Sequence, residues 1–235
     1  MTSSAAAPVP GSRRADARAR ITSAALDLFE SQGYAATTIE AITSAAGVAR
    51  RTFFLHFRSK DDVVFPDHEA LTGAVADLLA ARTEGSATDA VADAVRLVFG
   101  SYVNDADIAL RRYRLVREVP ELRDREIAWV QRYQHLFARY LHGRLDDLEH
   151  GALLAEVTAS GFVAAHNVAL RDWLRRGGGG DAVRDLDSNI MWLTRSLDHV
   201  RRGGDAPRMV VAVFDDHADP REITRLVEQA RTSSS

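Results

Sequence analysis

The sequence predicts an all-α protein in which a compact three-helix unit near the N-terminus precedes a larger helical body. Three observations predict it. Apolar residues recur at spacings of three and four along most of the chain. Glycine and proline punctuate these patterns at intervals suited to helix ends. Between residues 88 and 202 no segment shows the strict alternation of a half-buried strand.

The first helix is expected near 16–32, where Ile21, Ala24, Ala25, Leu28 and Phe29 form one apolar stripe, with Asp16 as its N-cap and Gly33 as its stop. Thr37, Thr38, Ile39 and Glu40 have the form of a capping box. In that reading the Thr37 hydroxyl accepts from the Glu40 amide while the Glu40 carboxylate reaches back. A short second helix then buries Ile39, Ile42 and Ala46. Gly47 supplies a tight turn, and Val48, Phe53 and Phe57 mark a third short helix. Two short helices joined by so tight a turn cross steeply, which lets the second project into a DNA major groove.

Charge supports that reading. The chain of 235 residues carries a net charge of -3, but residues 1–60 hold eight basic against four acidic side chains, a balance of +4, and the remainder sums to -7. A basic head on an acidic body suits a protein whose head alone meets phosphates, although a modest excess is also what a solvated face looks like. Hydrophobic content of 46% suffices for a proper core, and the absence of cysteine rules out disulfides and thiolate zinc sites. Residues 1–11 are a Ser/Ala/Pro stretch without the apolar centre of a signal, expected to be a disordered arm. No apolar run approaches the ~20 residues of a membrane span. A cytoplasmic protein with no membrane association is expected.

Residues 21–64 resemble the TetR family of bacterial regulators. The match is carried by Leu28-Phe29, Gly33-Tyr34, Thr37-Thr38-Ile39, Ala46-Gly47-Val48 and the closing run from His56 to Lys60. The resemblance implies that residues 12–60 form a helix-turn-helix DNA-binding domain for a palindromic operator. It places Thr38 and Lys60 on phosphates, His56 at the backbone rim, and Arg50, Arg51 and Thr52 against base edges, with Phe53 and Phe57 as core. Three positions depart from the family pattern: Ala49 replaces a capping serine, Leu55 replaces a residue more often polar, and Phe54 replaces a phosphate-binding tyrosine. Phe54 therefore offers van der Waals contact to sugar or a thymine methyl instead.

Residues 61–202 are expected to be a helical ligand-binding and dimerisation domain. A fourth helix over 61–81 must kink or restart at Pro66, because proline removes a backbone donor. Further helices are predicted near 88–103, 106–118, 121–144, 148–176 and 182–202, and the glycine run 177–180 reads as a flexible connector. The segment 106–145, with Arg114, Pro120 and Leu122 ahead of an aromatic helix, resembles a family subgroup that includes mycofactocin-type regulators and is associated with acyl-coenzyme A ligands. Trp129, Tyr133 and Phe137 recur at helical spacing with Tyr140. Together with Phe162 they either line a pocket or pack as ordinary core, and Arg114 and Arg117 are either anion partners or a solvated face. No cofactor is expected.

Small residues Ala155, Thr158, Ala159, Gly161, Ala164 and Ala165, followed by the stripe Ile190, Met191, Leu193, Thr194 and Leu197, suit a four-helix homodimer seam. Residues 203–235 form an extension with an apolar run at 209–214 and a helical pattern at 220–231. The cluster Asp215, Asp216, His217 and Asp219 reads as a solvated linker rather than a metal site. The absence of GxSxG, HExxH or a paired-carboxylate motif argues against an enzyme. The rival to an effector-released repressor is a constitutive DNA-binding protein.

Overall fold

The computed structural model describes residues 10–65, 68–148 and 150–201, with side chains from Asp16 to Asp198. The extension with its Asp/His cluster lies outside the described residues. The described chain is helical throughout: α1 (Pro10–Gln32), α2 (Ile39–Ala45), α3 (Arg50–Phe54), α4 (Lys60–Val64), α5 (His68–Ala81), α6 (Ala87–Val103), α7 (Ala106–Glu118), α8 (Pro120–Leu145), α9 (Gly151–Arg175) and α10 (Ala182–Arg201). The chain divides after Met191 into two compact units. Of the second, the end of α10 is described.

Helix starts follow capping chemistry, with two corrections to the expectations. Asp16 lies inside α1 rather than at its cap. The cap of α2 is Thr38, whose hydroxyl accepts from the Ala41 amide at 3.1 Å. Thr37 is buried instead, donating to the Gly33 carbonyl at 2.8 Å and accepting from the Gln32 side chain at 3.2 Å. The TTIE spacing permits either threonine as cap, and a buried hydroxyl must find a partner within the fold. α4 ends at Val64 and α5 starts at His68, while Pro66, where the fourth helix was expected to kink or restart, lies outside the described residues.

α2 and α9 close at glycine in the same way. The Gly47 amide reaches Ser44 and the Val48 amide reaches Thr43, with Gly47 at φ +62, where an L side chain is disfavoured. The same pair of bonds recurs at Gly177 to Leu174 and Gly178 to Trp173, while the Trp173 indole donates to the Gly178 carbonyl at 2.9 Å. The glycine run is therefore a hydrogen-bonded helix stop, not the flexible connector its composition suggests.

The head and body share one core. Ile21, Ala25, Leu26 and Phe29 of α1 pack with Ile42, Phe53, Phe57, Val63 and Val64, and the same cluster includes Leu115, Val116 and Leu122 of α7 and α8. In the body, α9 runs along α8 and against α6. Its small residues Ala155, Thr158, Ala159 and Ala165 are buried, so they serve close packing within the chain. Gly151 opens α9 where an added Cβ would collide with the Leu145 carbonyl oxygen, which leaves glycine as the residue the turn admits. By length and composition α9 could cross a membrane. It reaches that hydropathy as an average over scattered polar residues, not as an uninterrupted apolar run. Its apolar residues Phe162, Ala169 and Trp173 are buried within the bundle.

Candidate DNA interface and effector site

The recognition element is α3, which projects Arg50, Arg51, Phe54 and Leu55 to solvent while Phe53 is fully buried. Phe53 anchors the helix by meeting Phe54 edge-on at 5.4 Å and Phe57 at 5.6 Å. Ala49 caps α3 without a side-chain bond, as its departure from serine implied. Phe54 and Leu55 are 46% and 59% exposed, a large apolar surface to hold in water between two arginines. Thr52 and His56 are half-buried at the flank.

The two arginines differ. Arg50 pairs with Glu40 of α2 at 2.6 Å and stacks over the Phe54 ring, whereas no described residue pairs with Arg51. Lys60 opens α4 rather than trailing a helix. Its ammonium donates to the carbonyls of Tyr34 at 2.7 Å and Thr37 at 3.2 Å and lies 4.2 Å from the Tyr34 ring centroid. It braces the loop that delivers Thr38, which is exposed just ahead of α2.

Charge clamps that sequence reading did not single out join this head to the body. Arg111 of α7 bonds both oxygens of Glu30 at 2.8 and 2.9 Å and reaches Asp27 at 2.6 Å, all on α1. Its guanidinium side chain is 13% exposed, and the Glu30 hydrogen bond holds its pKa above the ordinary arginine value. Arg125 of α8 bonds Asp61 and, at 2.9 Å, Asp62 in the first turn of α4, where carboxylates also favour the helix dipole. Asp61 accepts from the Tyr34 hydroxyl, whose proton is held more tightly than usual by burial and by that bond. The acidic pairs 27/30 and 61/62 are visible in sequence. Their partners 81–84 and 63–64 residues away are not.

Among the expected ligand-site residues, Trp129, Tyr133 and Phe137 lie along α8, with the Tyr133 and Phe137 rings 6.5 Å apart and Phe162 fully buried on α9. Arg114 and Arg117 do not join them. Both are exposed on α7, and Arg117 bonds the Tyr113 hydroxyl at 2.9 Å, because the apolar face of α7 turns Leu115 and Val116 inward instead. The side chains that do converge on Trp129 and Tyr133 are His68 of α5 and, next to it, Tyr102 of α6 and His166 of α9. No local pattern marks these, since each comes from a different helix. A separate open cleft of about 440 Å³ lies at Val103, Ala106, Trp173, Gly178 and residues 180–183 and shares no residue with this ring cluster.

Comparison with known proteins agrees with this anatomy. The family model for bacterial regulatory proteins, tetR family, matches residues 21–65, and that for the MftR C-terminal domain matches residues 85–198. The chain is 30% identical over 188 residues to the HTH-type transcriptional regulator TcmR of Streptomyces glaucescens, covering 75% of this chain and 79% of that protein. It is 28% identical over 141 residues, 57% of this chain and 68% of the relative, to a protein named as mycofactocin biosynthesis transcriptional regulator MftR in Mycobacterium tuberculosis. Among solved structures, FadR of Bacillus subtilis in complex with stearoyl-CoA superposes with a TM-score of 0.53 at 18% identity, covering 74% of this chain and 96% of FadR. Native NalD of Pseudomonas aeruginosa, the secondary repressor of the MexAB-OprM efflux pump, gives 0.55 at 19% identity, covering 77% and 96%. The head, the body and these relatives together identify the chain as a DNA-binding transcriptional regulator that belongs to the TetR family.

Proposed function

We propose that the protein is a cytoplasmic homodimeric repressor that leaves a palindromic operator when a small molecule enters its helical body. Residues 12–60 read DNA, 61–202 bind effector and dimerise, and 1–11 and 203–235 are an arm and an extension. Arg51 reads a base edge, Phe54 and Leu55 meet thymine methyls, and Thr38, Thr52, His56 and Lys60 position the head on the backbone. The observation that carries effector release is the shared core with its two clamps: a shift of α7 or α8 must move α1 and α4, because Leu115, Val116, Leu122, Arg111 and Arg125 are held by both halves. A dimer reads half-sites about 34 to 36 Å apart, so a small change in head spacing prevents both from docking. The FadR complex with stearoyl-CoA supports an apolar or acyl-CoA-like effector. Selecting the operator from random duplexes and titrating it by anisotropy, with and without a bound effector, tests this reading. Equal affinities would sink it, since a ligand must prefer one state to shift an equilibrium.

The dimer seam follows the face that α9 leaves uncovered. Leu153, Val157, Gly161, Ala164 and Val168 share one helical stripe, with Leu153 and Val168 well exposed, and Val183 and Met191 of α10 are exposed too. Ala165, expected in the seam, is instead buried within the chain, so arginine there would disrupt the fold. Val168→Arg is expected to give monomers with unchanged helicity, because a charge buried without a partner costs several kcal/mol. Light scattering checks it, and a persistent dimer in both Val168→Arg and Leu153→Arg removes this seam.

A further inference from the structure

Two pairs of side chains stand next to one another on α3. Arg50 and Phe54 are one helical turn apart, and the Arg50 guanidinium lies 5.6 Å from the Phe54 ring centroid. Arg51 and Leu55 have the same spacing. Leu55 caps α3 at φ -74 and ψ -18, and its amide bonds the Arg51 carbonyl at 3.1 Å, so the helical path carries through it and sets it over the turn that begins at Arg51. Each pair places a planar cation beside an exposed apolar side chain.

The pairs differ in what already holds them. Arg50 is engaged by Glu40 at 2.6 Å, and Phe54 rests edge-on against the buried Phe53. No described residue pairs with the Arg51 guanidinium, and Leu55 is 59% exposed. The second pair is therefore the one that stands free in the absence of DNA.

Base pairs present N–H and C=O groups to the major groove, and an apolar side chain laid on these removes their water without replacing its hydrogen bonds. The C5-methyl of a pyrimidine is the apolar group on that edge. Guanine offers two acceptors there, O6 and N7, which match a guanidinium. A cation and an apolar side chain one turn apart thus fit two adjacent bases, guanine at Arg51 and a C5-methylated pyrimidine at Leu55. Thymine and 5-methylcytosine carry the same methyl on the same ring carbon, so this contact serves both.

We propose that Arg51 and Leu55 together read a guanine preceded by a C5-methylated pyrimidine, and that the head accordingly discriminates a methylated cytosine–guanine step from its unmethylated form. The proposal rests on the assignment of α3 to base edges made above, and adds a DNA modification to which the protein responds. Leu55 is the specificity determinant for the methyl, and Arg51 fixes the register by holding the guanine.

The test uses full-length protein and the operator selected from random duplexes, followed by anisotropy at one salt concentration. In both half-sites, the pyrimidine preceding the guanine whose preference Arg51→Ala relaxes is set in turn to thymine, uracil, 5-methylcytosine and cytosine, each with its complement. Loss of the methyl, from thymine to uracil or from 5-methylcytosine to cytosine, is expected to weaken binding about fourfold per half-site and about fifteenfold for a dimer, the usual worth of burying one methyl group at each. In Leu55→Ala both penalties are expected to fall below about twofold, while Leu55→Met keeps them. Leu55 is exposed, so neither substitution threatens the fold, and the thymine-to-uracil exchange alters the DNA alone. Equal affinities for methylated and unmethylated duplexes overturn the proposal. A penalty that persists in full in Leu55→Ala overturns the role of Leu55, and a penalty for uracil without one for cytosine overturns the response to methylated cytosine. If Arg51→Ala relaxes no position, the base-edge assignment of Arg51 fails first and takes the pairing with it.

Discussion

Phe53→Ala is expected to lower the stability of the whole unit up to Met191 by about 3 to 5 kcal/mol, the usual cost of emptying a buried phenylalanine site. Phe53 is fully buried, meets Phe54 edge-on and Phe57 at a tilt, and its cluster continues through Val63 and Val64 into Leu115, Val116 and Leu122. Trp129, Trp173 and Trp192, the three tryptophans, all lie outside the head. Tryptophan fluorescence therefore reports the body alone. With a shared core, a head substitution must move the fluorescence-detected midpoint together with far-ultraviolet circular dichroism. A shift of roughly 6 to 20 °C is expected for a unit of this size. An unshifted fluorescence transition beside a lowered dichroism transition would show that the head melts by itself, and would remove the shared core as the route of effector release.

Arg51→Ala is expected to relax base preference at one position in each half-site, at about 1 to 3 kcal/mol per half-site and so about twice that for the dimer. Arg50→Ala should do less. Adjacent residues point about 100° apart on a helix, and Arg50 must leave Glu40 before it meets DNA. That exposed pair is itself worth no more than about 1 kcal/mol, so it biases Arg50 without locking it. Lys60→Ala should weaken operator and random DNA alike, through a loosened Thr38 loop and the removal of nearby charge, flattening the salt dependence by roughly 0.9 in log slope for each phosphate no longer neutralised. Titrations against operator, point-changed operator and random duplex at several salt concentrations separate these effects. If Arg50→Ala relaxed base preference while Arg51→Ala lost affinity uniformly, the two roles would be reversed.

Helix positions were legible in the sequence because helix formation is written in neighbours three and four residues apart. The Ile21–Phe29 stripe and the Gly47 turn each follow from local sterics, and the helices of the body fall within a few residues of their periodic patterns. Where two local solutions were nearly equal, as with Thr37 and Thr38, tertiary burial chose. The hydroxyl with carbonyl and amide partners inside the fold went in, and its neighbour took the cap.

Sequence alone therefore determined the all-helical layout, the exposed recognition helix and the family, all of which rest on contiguous residues. Only tertiary structure decided that Lys60 braces a loop, that Ala165 faces inward, that Arg114 and Arg117 stay in solvent, and that Arg111 and Arg125 tie the head to the body. It also decided which rings gather around His68. The physical reason is that each of these is a choice of partner across 23 to 84 residues of chain, as from Lys60 to Thr37 or from Arg111 to Asp27. Such choices are set by which helix faces the packed core brings together, and helical periodicity constrains the face a residue occupies without naming what stands opposite.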